Sequence, residues 1–194
     1  TLYIGSTVRE WNALDWMGGK LKSLVRLKCK TSQFSGNDTC ISTMSSAELT
    51  KVMPAHSVDY IFTDPPFGGN LNYSELSSMW EAWLGAMTAN KDEAIINDVQ
   101  QKKLGDYQDL MQACFEQFYR VLKPDHWITI EFHNSHNSVW NALSESLMRV
   151  GFIIADIRVL DKKQGSFKQI VHSSAVKQDL VISAYKPREA FVRR

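Results

Sequence analysis

The sequence predicts an α/β fold built on a mainly parallel sheet with an antiparallel pair of strands at its end. Two observations support this prediction. Between residues 58 and 160, strand-like apolar runs alternate with segments whose apolar residues recur at helical spacing. The last two strand-like runs, 152–160 and 179–186, follow each other with no helical segment between them. Because a parallel connection needs a long crossover, this pair is expected to be antiparallel.

The region before residue 58 is less regular. Residues 21–29 alternate apolar and basic side chains, which fits an edge strand or a short helix. Residues 40–44 predict a short strand. The segment that follows predicts a capped helical turn, because Ser45 stands three residues before Glu48, the spacing of a capping box.

From residue 58 onward the elements are clearer. Helical spacing of apolar residues places Trp80 and Trp83 on one face of a helix, and that face is expected to lie in the core. Lys123-Pro124-Asp125 is expected to end the next helix, and Gly151 the one after it. The predicted strands are 58–64 and 126–133, and the predicted helices are 73–85, 106–123 and 138–151.

Length and composition indicate one domain, 1–194, with a poorly assigned N-terminal segment, 1–39. The 194 residues are enough for a hydrophobic core, and the net charge of +1 names no partner. Two basic stretches, 20–30 and 162–194, could touch phosphates. The three cysteines form no C-x-x-C pair, so the sequence predicts no metal site and a cytoplasmic protein. No apolar run approaches the roughly 18 residues of a membrane span.

The segment TDPPFGGN, residues 63–70, closes the first clear strand. In open α/β sheets, ligands bind outside the carboxyl ends of the strands. Asp64 lies at such an end, and Glu131 and His133 lie at the end of the next strand. Three polar groups are therefore predicted at one rim, although a structural role for His133 is an equally good interpretation.

An acid followed by two prolines suits chemistry at the exocyclic amine of a nucleobase. The lone pair of that nitrogen is delocalised into the ring, so acceptors beside its N–H groups are needed to aim it at an electrophile. The carboxylate of Asp64 and the carbonyl of Pro65 are two such acceptors, and Pro66 helps to hold them rigid. The other interpretation of this tetrapeptide is a simple turn.

The rest of the loop suits a flat ligand. Phe67 offers a face on which a base can stack, worth roughly 1–3 kcal/mol in single-strand binders. Gly68 and Gly69 let the backbone pass close to a ligand. Tyr73 could line the same pocket or simply open the following helix. A base inside a duplex would have to be flipped out to reach it.

These residues resemble a known family. DPPF after a buried strand is similar to the catalytic motif of S-adenosylmethionine-dependent amino-methyltransferases, Asp/Asn/Ser-Pro-Pro-Tyr/Phe/Trp. With its flanks, YRVLKPDHWITIEFHN and the segment ending in DLVISAYKP, the chain resembles the catalytic half of large bacterial DNA methylases over roughly residues 40–187. The resemblance implies a Rossmann-like class I methyltransferase fold and methyl transfer to adenine or cytosine in DNA.

Roles follow from the resemblance by position. It implies that Asp64, Pro65, Pro66 and Phe67 are catalytic, with Asp64 and Pro65 binding the target amine and also bordering the cofactor. Asp at the first motif position favours adenine. The substrate-binding set predicted from the loop, the rim and the basic segment 161–169 is Phe67, Gly68, Tyr73, Glu131, His133, Lys162 and Lys163.

The cofactor side departs from the family pattern. Ser46 and Ala47 occupy the place of an acidic and a small residue near the cofactor's adenine, and Ser46 stands where the acid would be. The chain contains no Gly-x-Gly turn for S-adenosylmethionine. We therefore expect a fold that is incomplete at its N-terminal, cofactor side, with an upstream part of the same protein as a partner alongside DNA. An RNA methyltransferase and a non-catalytic nucleic-acid-binding remnant are the alternatives.

Overall fold

The computed structural model describes residues 12–31, 39–134, 136–160 and 179–188. The chain divides into two compact units, Thr1–Thr43 and Met44–Arg194. In the first unit, helix α1 spans Ala13–Thr31. The alternation at 21–29 therefore belongs to a helix, which decides between the two interpretations of that stretch.

The described residues of the second unit form four strands and three α-helices. It begins with a 3₁₀ helix, Ser46–Lys51, in which the Ser45 side chain accepts a hydrogen bond from the Ala47 amide at 3.3 Å. A second 3₁₀ helix, Asn90–Asp92, precedes α3. The strands are β1 (Val58–Thr63), β2 (Leu122–Phe132), β3 (Ile153–Leu160) and β4 (Asp179–Tyr185), and the helices are α2 (Tyr73–Leu84), α3 (Leu104–Val121) and α4 (Asn137–Val150).

The strands form one sheet in the order β1-β2-β4-β3. β1 and β2 are parallel, whereas β4 runs antiparallel to both β2 and β3. Three of the four strands thus point the same way, and the predicted antiparallel pairing of the last two strands is confirmed. The α/β class is confirmed with it, and the sheet is mixed, with one parallel pairing and two antiparallel pairings.

Helices α3 and α4 pack on one face of this sheet, because alternate residues of β2 and β4 present apolar side chains to them. The core between them includes Phe115, Ile128, Ile130, Leu143 and Ile182, each fully buried. α4 ends at Gly151, whose φ of +108° forms the left-handed cap that the sequence predicted.

The other face of the sheet is open where the structure describes it. Tyr60, Trp127 and Tyr185 form one row across β1, β2 and β4 by strand register. Tyr60 is 53% exposed and Trp127 is 46% exposed, although Trp127 packs against Tyr185 at a ring distance of 5.2 Å. Phe62, on the same face, is 60% exposed.

Three expectations about individual elements are wrong. Residues 40–44 form no strand. Trp80 and Trp83 are 68% and 86% exposed, because α2 has the predicted helical period but turns that face away from the core. Lys123-Pro124-Asp125 lies inside β2, at a register shift between the β1 pairs Val58–Leu122 and Tyr60–Trp127. A bulge tolerates proline, which cannot donate to a ladder.

Candidate active site

Asp64 follows the last residue of β1 and is exposed at the carboxyl end of the sheet. Thr63 pairs with Ile130 in the parallel ladder, so Asp64 and Glu131 are the next residues along two neighbouring strands. Glu131 is half-buried. The register therefore places the two acidic residues at the same end of adjacent strands.

The two prolines after Asp64 are held from below by α3. Pro65 is buried, and the carbonyl oxygen of Pro66 accepts a hydrogen bond of 2.8 Å from the hydroxyl of Tyr107. Burial raises the pKa of Tyr107 far above its usual value, and the nearby Tyr73 and Cys114 raise it further. The phenol therefore stays protonated and remains a donor.

Phe67 is held by the end of β2. Its ring makes an edge contact with Phe132 at 5.5 Å and lies 6.0 Å from the ring of His133. Its carbonyl oxygen accepts a 2.8 Å hydrogen bond from the side-chain amide of Asn134. In the other direction, the side-chain amide of Asn70 donates a hydrogen bond to the carbonyl of His133 at 3.1 Å. Hydrogen bonds in both directions thus join the loop to the end of β2.

Gly68 is required by the geometry of this loop. Its φ is +68°, and a Cβ there would meet the side chains of Asn134, Ile96 and Val139, each at 3.3 Å. Both the left-handed backbone and the close approach exclude a larger residue without strain.

The four carbonyls from Pro65 to Gly68 differ in their hydrogen bonding. The carbonyls of Pro66, Phe67 and Gly68 accept hydrogen bonds from Tyr107, Asn134 and the Ile96 amide. Within the ranges that the structure describes, no donor reaches the carbonyl oxygen of Pro65. The loop therefore fixes its backbone through its later residues and keeps the acceptor next to Asp64 unused.

Tyr73 begins α2 close to the same corner. Burial raises the pKa of its hydroxyl, and the charge of Asp64 raises it further. The start of α2 is held by Glu93, whose carboxylate accepts hydrogen bonds from the amide of Ser74 at 3.0 Å and from its hydroxyl at 2.7 Å. These bonds keep Tyr73 beside Asp64.

His133 is paired with a residue that the sequence analysis did not select. Its Nδ1 atom hydrogen-bonds the carboxylate of Asp179, the first residue of β4. The side chain of Asp179 is 5% exposed and that of His133 is 28% exposed. Tyr107 and Asn134 were also missed, because each acts through a contact that only the tertiary structure reveals. The signal available for Asn134 was its place beside His133 at a strand end.

The remaining predicted site residues are Ser46, Ala47, Lys162 and Lys163. Ser46 and Ala47 belong to the 3₁₀ helix that packs along α3, where the Thr50 hydroxyl hydrogen-bonds the Gln117 side chain at 2.5 Å. Lys162 and Lys163 lie outside the described residues. Among the described residues there is no group of three His, Cys, Asp or Glu side chains arranged to hold a metal ion. No described helix is long and apolar enough to cross a membrane.

The rim of the sheet thus carries an acidic corner, an aromatic ring and a rigid backbone. A family model described as DNA methylase, of the N6/N4 methyltransferase type, matches residues 58–193, which include all of these groups. The chain belongs to this DNA methylase family. The match covers the strand, the DPPF corner and the antiparallel strand pair together, so it confirms the family resemblance from residue 58 onward.

Solved structures similar to this DNA methylase chain share little sequence with it. The PvuII DNA methyltransferase (cytosine-N4-specific) is 14% identical, with a TM-score of 0.49 over 75% of this chain and 49% of that one. A proposed DNA modification methylase from Thermus thermophilus is also 14% identical, with a TM-score of 0.45 over 74% of this chain and 51% of that one.

The chain spans about half the length of these solved structures. A search of curated proteins finds no match to this chain.

Proposed function

We propose that this chain carries the amine-binding corner of an enzyme that transfers a methyl group from S-adenosylmethionine to the exocyclic amine of adenine in DNA. The observation that supports this most is the corner itself. Asp64 is exposed beside the buried Pro65, whose carbonyl accepts no hydrogen bond from the described chain. Two acceptors at a rigid strand end are what an amino group with two N–H bonds requires.

The proposed chemistry begins with positioning. The carboxylate of Asp64 and the carbonyl of Pro65 accept the two N–H groups of the target amine, which draws its lone pair out of conjugation with the ring. Because the loop backbone is already fixed by Tyr107 and Asn134, little reorganisation is needed when the amine arrives. The contribution of these groups is geometry and charge, since none of them forms a covalent intermediate.

The target base would be turned out of the duplex and stacked on Phe67. The ring of Phe67 is held by Phe132 and by a backbone bond, so it is a preformed platform. Gly68 lets the backbone pass close by, and Tyr73, Glu131 and His133 border the same space. Flipping the base costs a few kcal/mol, which stacking and the two amine bonds offset. Lys162 and Lys163 are proposed contacts to the DNA backbone.

The acceptor groups of Asp64 and Pro65 suit a positively charged cofactor. Asp64 supplies a negative charge and Pro65 supplies the negative end of a carbonyl dipole at the same strand end. Both attract a sulfonium cation. S-adenosylmethionine, when bound, supplies an electrophilic methyl group. Ser46 and Ala47 are proposed as further contacts of this cofactor. The open sheet face with Tyr60 and Trp127 supports the proposal that an upstream part of the same protein completes the cofactor side.

Adenine is the proposed target rather than cytosine, because the first position of the motif is Asp64. A hydrogen-bonding carboxylate accepts from either amine, so the preference comes from the family resemblance and not from the chemistry of the carboxylate.

The test is methyl transfer by the full-length protein that contains this chain. Unmethylated DNA and, in parallel, RNA are incubated with labelled S-adenosylmethionine, and the digested DNA is separated into N6-methyladenine and N4-methylcytosine. The Asp64→Ala variant is expected to lose transfer by more than about 100-fold while remaining folded. Asp59→Ala is the matched control, since Asp59 is an exposed acid at the other end of the same strand. Equal incorporation by the Asp64→Ala variant would refute the proposal, and label in RNA alone would change the substrate.

A further inference from the structure

The His133–Asp179 pair lies against the corner that the proposed function uses. His133 follows the end of β2, and Asp179 opens the antiparallel strand β4 beside it. The enclosed carboxylate hydrogen-bonds Nδ1 of the imidazole, whereas the imidazole itself reaches the surface. The pair therefore has a buried member that fixes orientation and an accessible member that could meet a ligand.

The carboxylate also determines which ring nitrogen is available. An ionised carboxylate can only accept, so Nδ1 must carry the hydrogen, and the lone pair of the neutral ring then lies on Nε2. In the part of the chain that the structure describes, the bond to Asp179 is the only hydrogen bond of the His133 side chain. Nε2 is thus an unused acceptor with a fixed direction.

This acceptor borders the surface on which the base would stack. The rings of Phe67 and His133 are 6.0 Å apart and tilted by 57°. Two side-chain amides hold them together, since Asn134 donates to the carbonyl of Phe67 and Asn70 to that of His133. Because these bonds fix both backbones, the distance between platform and imidazole is set before any ligand binds.

We propose that His133 accepts the proton released by the target amine, and that Asp179 is the residue that positions it; this inference rests on the proposed function. The amine nitrogen forms a bond to the methyl carbon as the sulfur–carbon bond breaks, and the positive charge moves from sulfur to nitrogen. One N–H bond then breaks, and its proton passes to Nε2 of His133. The imidazolium lies against the Asp179 carboxylate until it loses the proton to water.

Asp64 does not make this role redundant. Its carboxylate is engaged in holding the amine, and a carboxylate is in general a weaker base than an imidazole. With a separate proton acceptor, Asp64 stays ionised through the reaction and keeps its hydrogen bond to the product until release.

The experiment measures steady-state kinetics of the full-length protein on unmethylated DNA. His133→Ala is expected to lower kcat by about 100-fold, with the KM for DNA changed less than about threefold. Added imidazole should restore part of the rate of this variant and none of the rate of Asp64→Ala. Asp179→Asn should lower kcat as well, because an amide can reverse the tautomer of the ring. His136→Gln, an exposed histidine three residues on, is the control and should behave as the wild type.

Several results would overturn the inference. A wild-type kcat in His133→Ala would do so. A lower kcat that added imidazole does not restore would also do so, if the unfolding temperature of the variant falls as well. His133→Gln, which keeps most of the side-chain volume, gives the same comparison if the alanine variant fails to fold. A wild-type protein that methylates no DNA would overturn the proposed function together with this inference. That result can be distinguished from the others, because every variant would then be as inactive as the wild type.

Discussion

The hydroxyl of Tyr107 donates a 2.8 Å hydrogen bond to the carbonyl of Pro66, joining two residues 41 positions apart in the sequence. Tyr107 is fully buried on α3, and Pro66 is the second proline of the corner that bears Asp64. Helix α3 of the core therefore fixes the position of the loop that bears Asp64. The same bond explains why the loop can be rigid although it lies at the surface.

Tyr107→Phe tests this bond. Removing the hydroxyl leaves the carbonyl of Pro66 without its partner, so the free energy of unfolding should fall by about 1–3 kcal/mol. Methyl transfer should fall as well, because Pro65 and Asp64 would no longer be held in place. Urea unfolding and labelled-methyl incorporation give the two readouts. For urea unfolding of this chain by itself, Tyr60→Phe is the matched control, since Tyr60 is an exposed tyrosine on β1 there and its change should be within about 0.5 kcal/mol. Equal stabilities for the two variants would contradict the role of the bond.

Gly68→Ala tests the left-handed turn of the loop. The backbone φ of +68° and three side-chain atoms at 3.3 Å both oppose a Cβ, so a destabilisation of about 1–3 kcal/mol is expected. Gly105→Ala is the opposite case, because Gly105 lies in α3 with no atom within 4 Å of the added Cβ. That variant should be stabilised by about 0.4–1 kcal/mol. Thermal unfolding of the two single variants decides the matter, and a shift of the same sign in both would count against this account of the loop.

Cys114 should make stability depend on pH in the alkaline range. Burial raises the pKa of its thiol to about 11, from 9.0 for the ordinary thiol. Between these values the unfolded chain has lost the proton and the folded chain has kept it. The contribution is therefore fully present below about pH 9 and is lost as the pH rises toward 11, by about 2 kcal/mol in total.

Urea unfolding of the wild type and of Cys114→Ala between pH 8 and pH 11 measures this contribution. Other groups, including the buried Tyr107, titrate in both proteins, so their effect cancels in the difference. The stability advantage of the wild type should shrink as the pH rises. Curves that stay parallel over the whole range would show that the thiol is not the cause.

The errors of the sequence analysis have one physical origin. The period of residues 73–85 correctly predicted a helix, yet Trp80 and Trp83 are exposed because a period does not say which surface a helix meets. Pro124 was expected to end a helix, but it lies within β2, where a bulge in the pairing with β1 accommodates it. The pairing of His133 with Asp179 depends on the antiparallel register of β2 and β4, which no local pattern encodes.

Local sequence patterns are enough to predict the order of strands and helices from β1 to β4, the acidic residue Asp64 at a strand end and the DNA methylase family. Each of these is local, since apolar period, turn residues and a short motif act over a few neighbouring positions. The partners that hold this region are set by tertiary packing. Tyr107 hydrogen-bonds the carbonyl of Pro66, Asn134 hydrogen-bonds the carbonyl of Phe67, and Asp179 hydrogen-bonds the ring of His133. Those contacts join residues far apart in the chain, and their formation depends on how the helices and strands pack together in three dimensions.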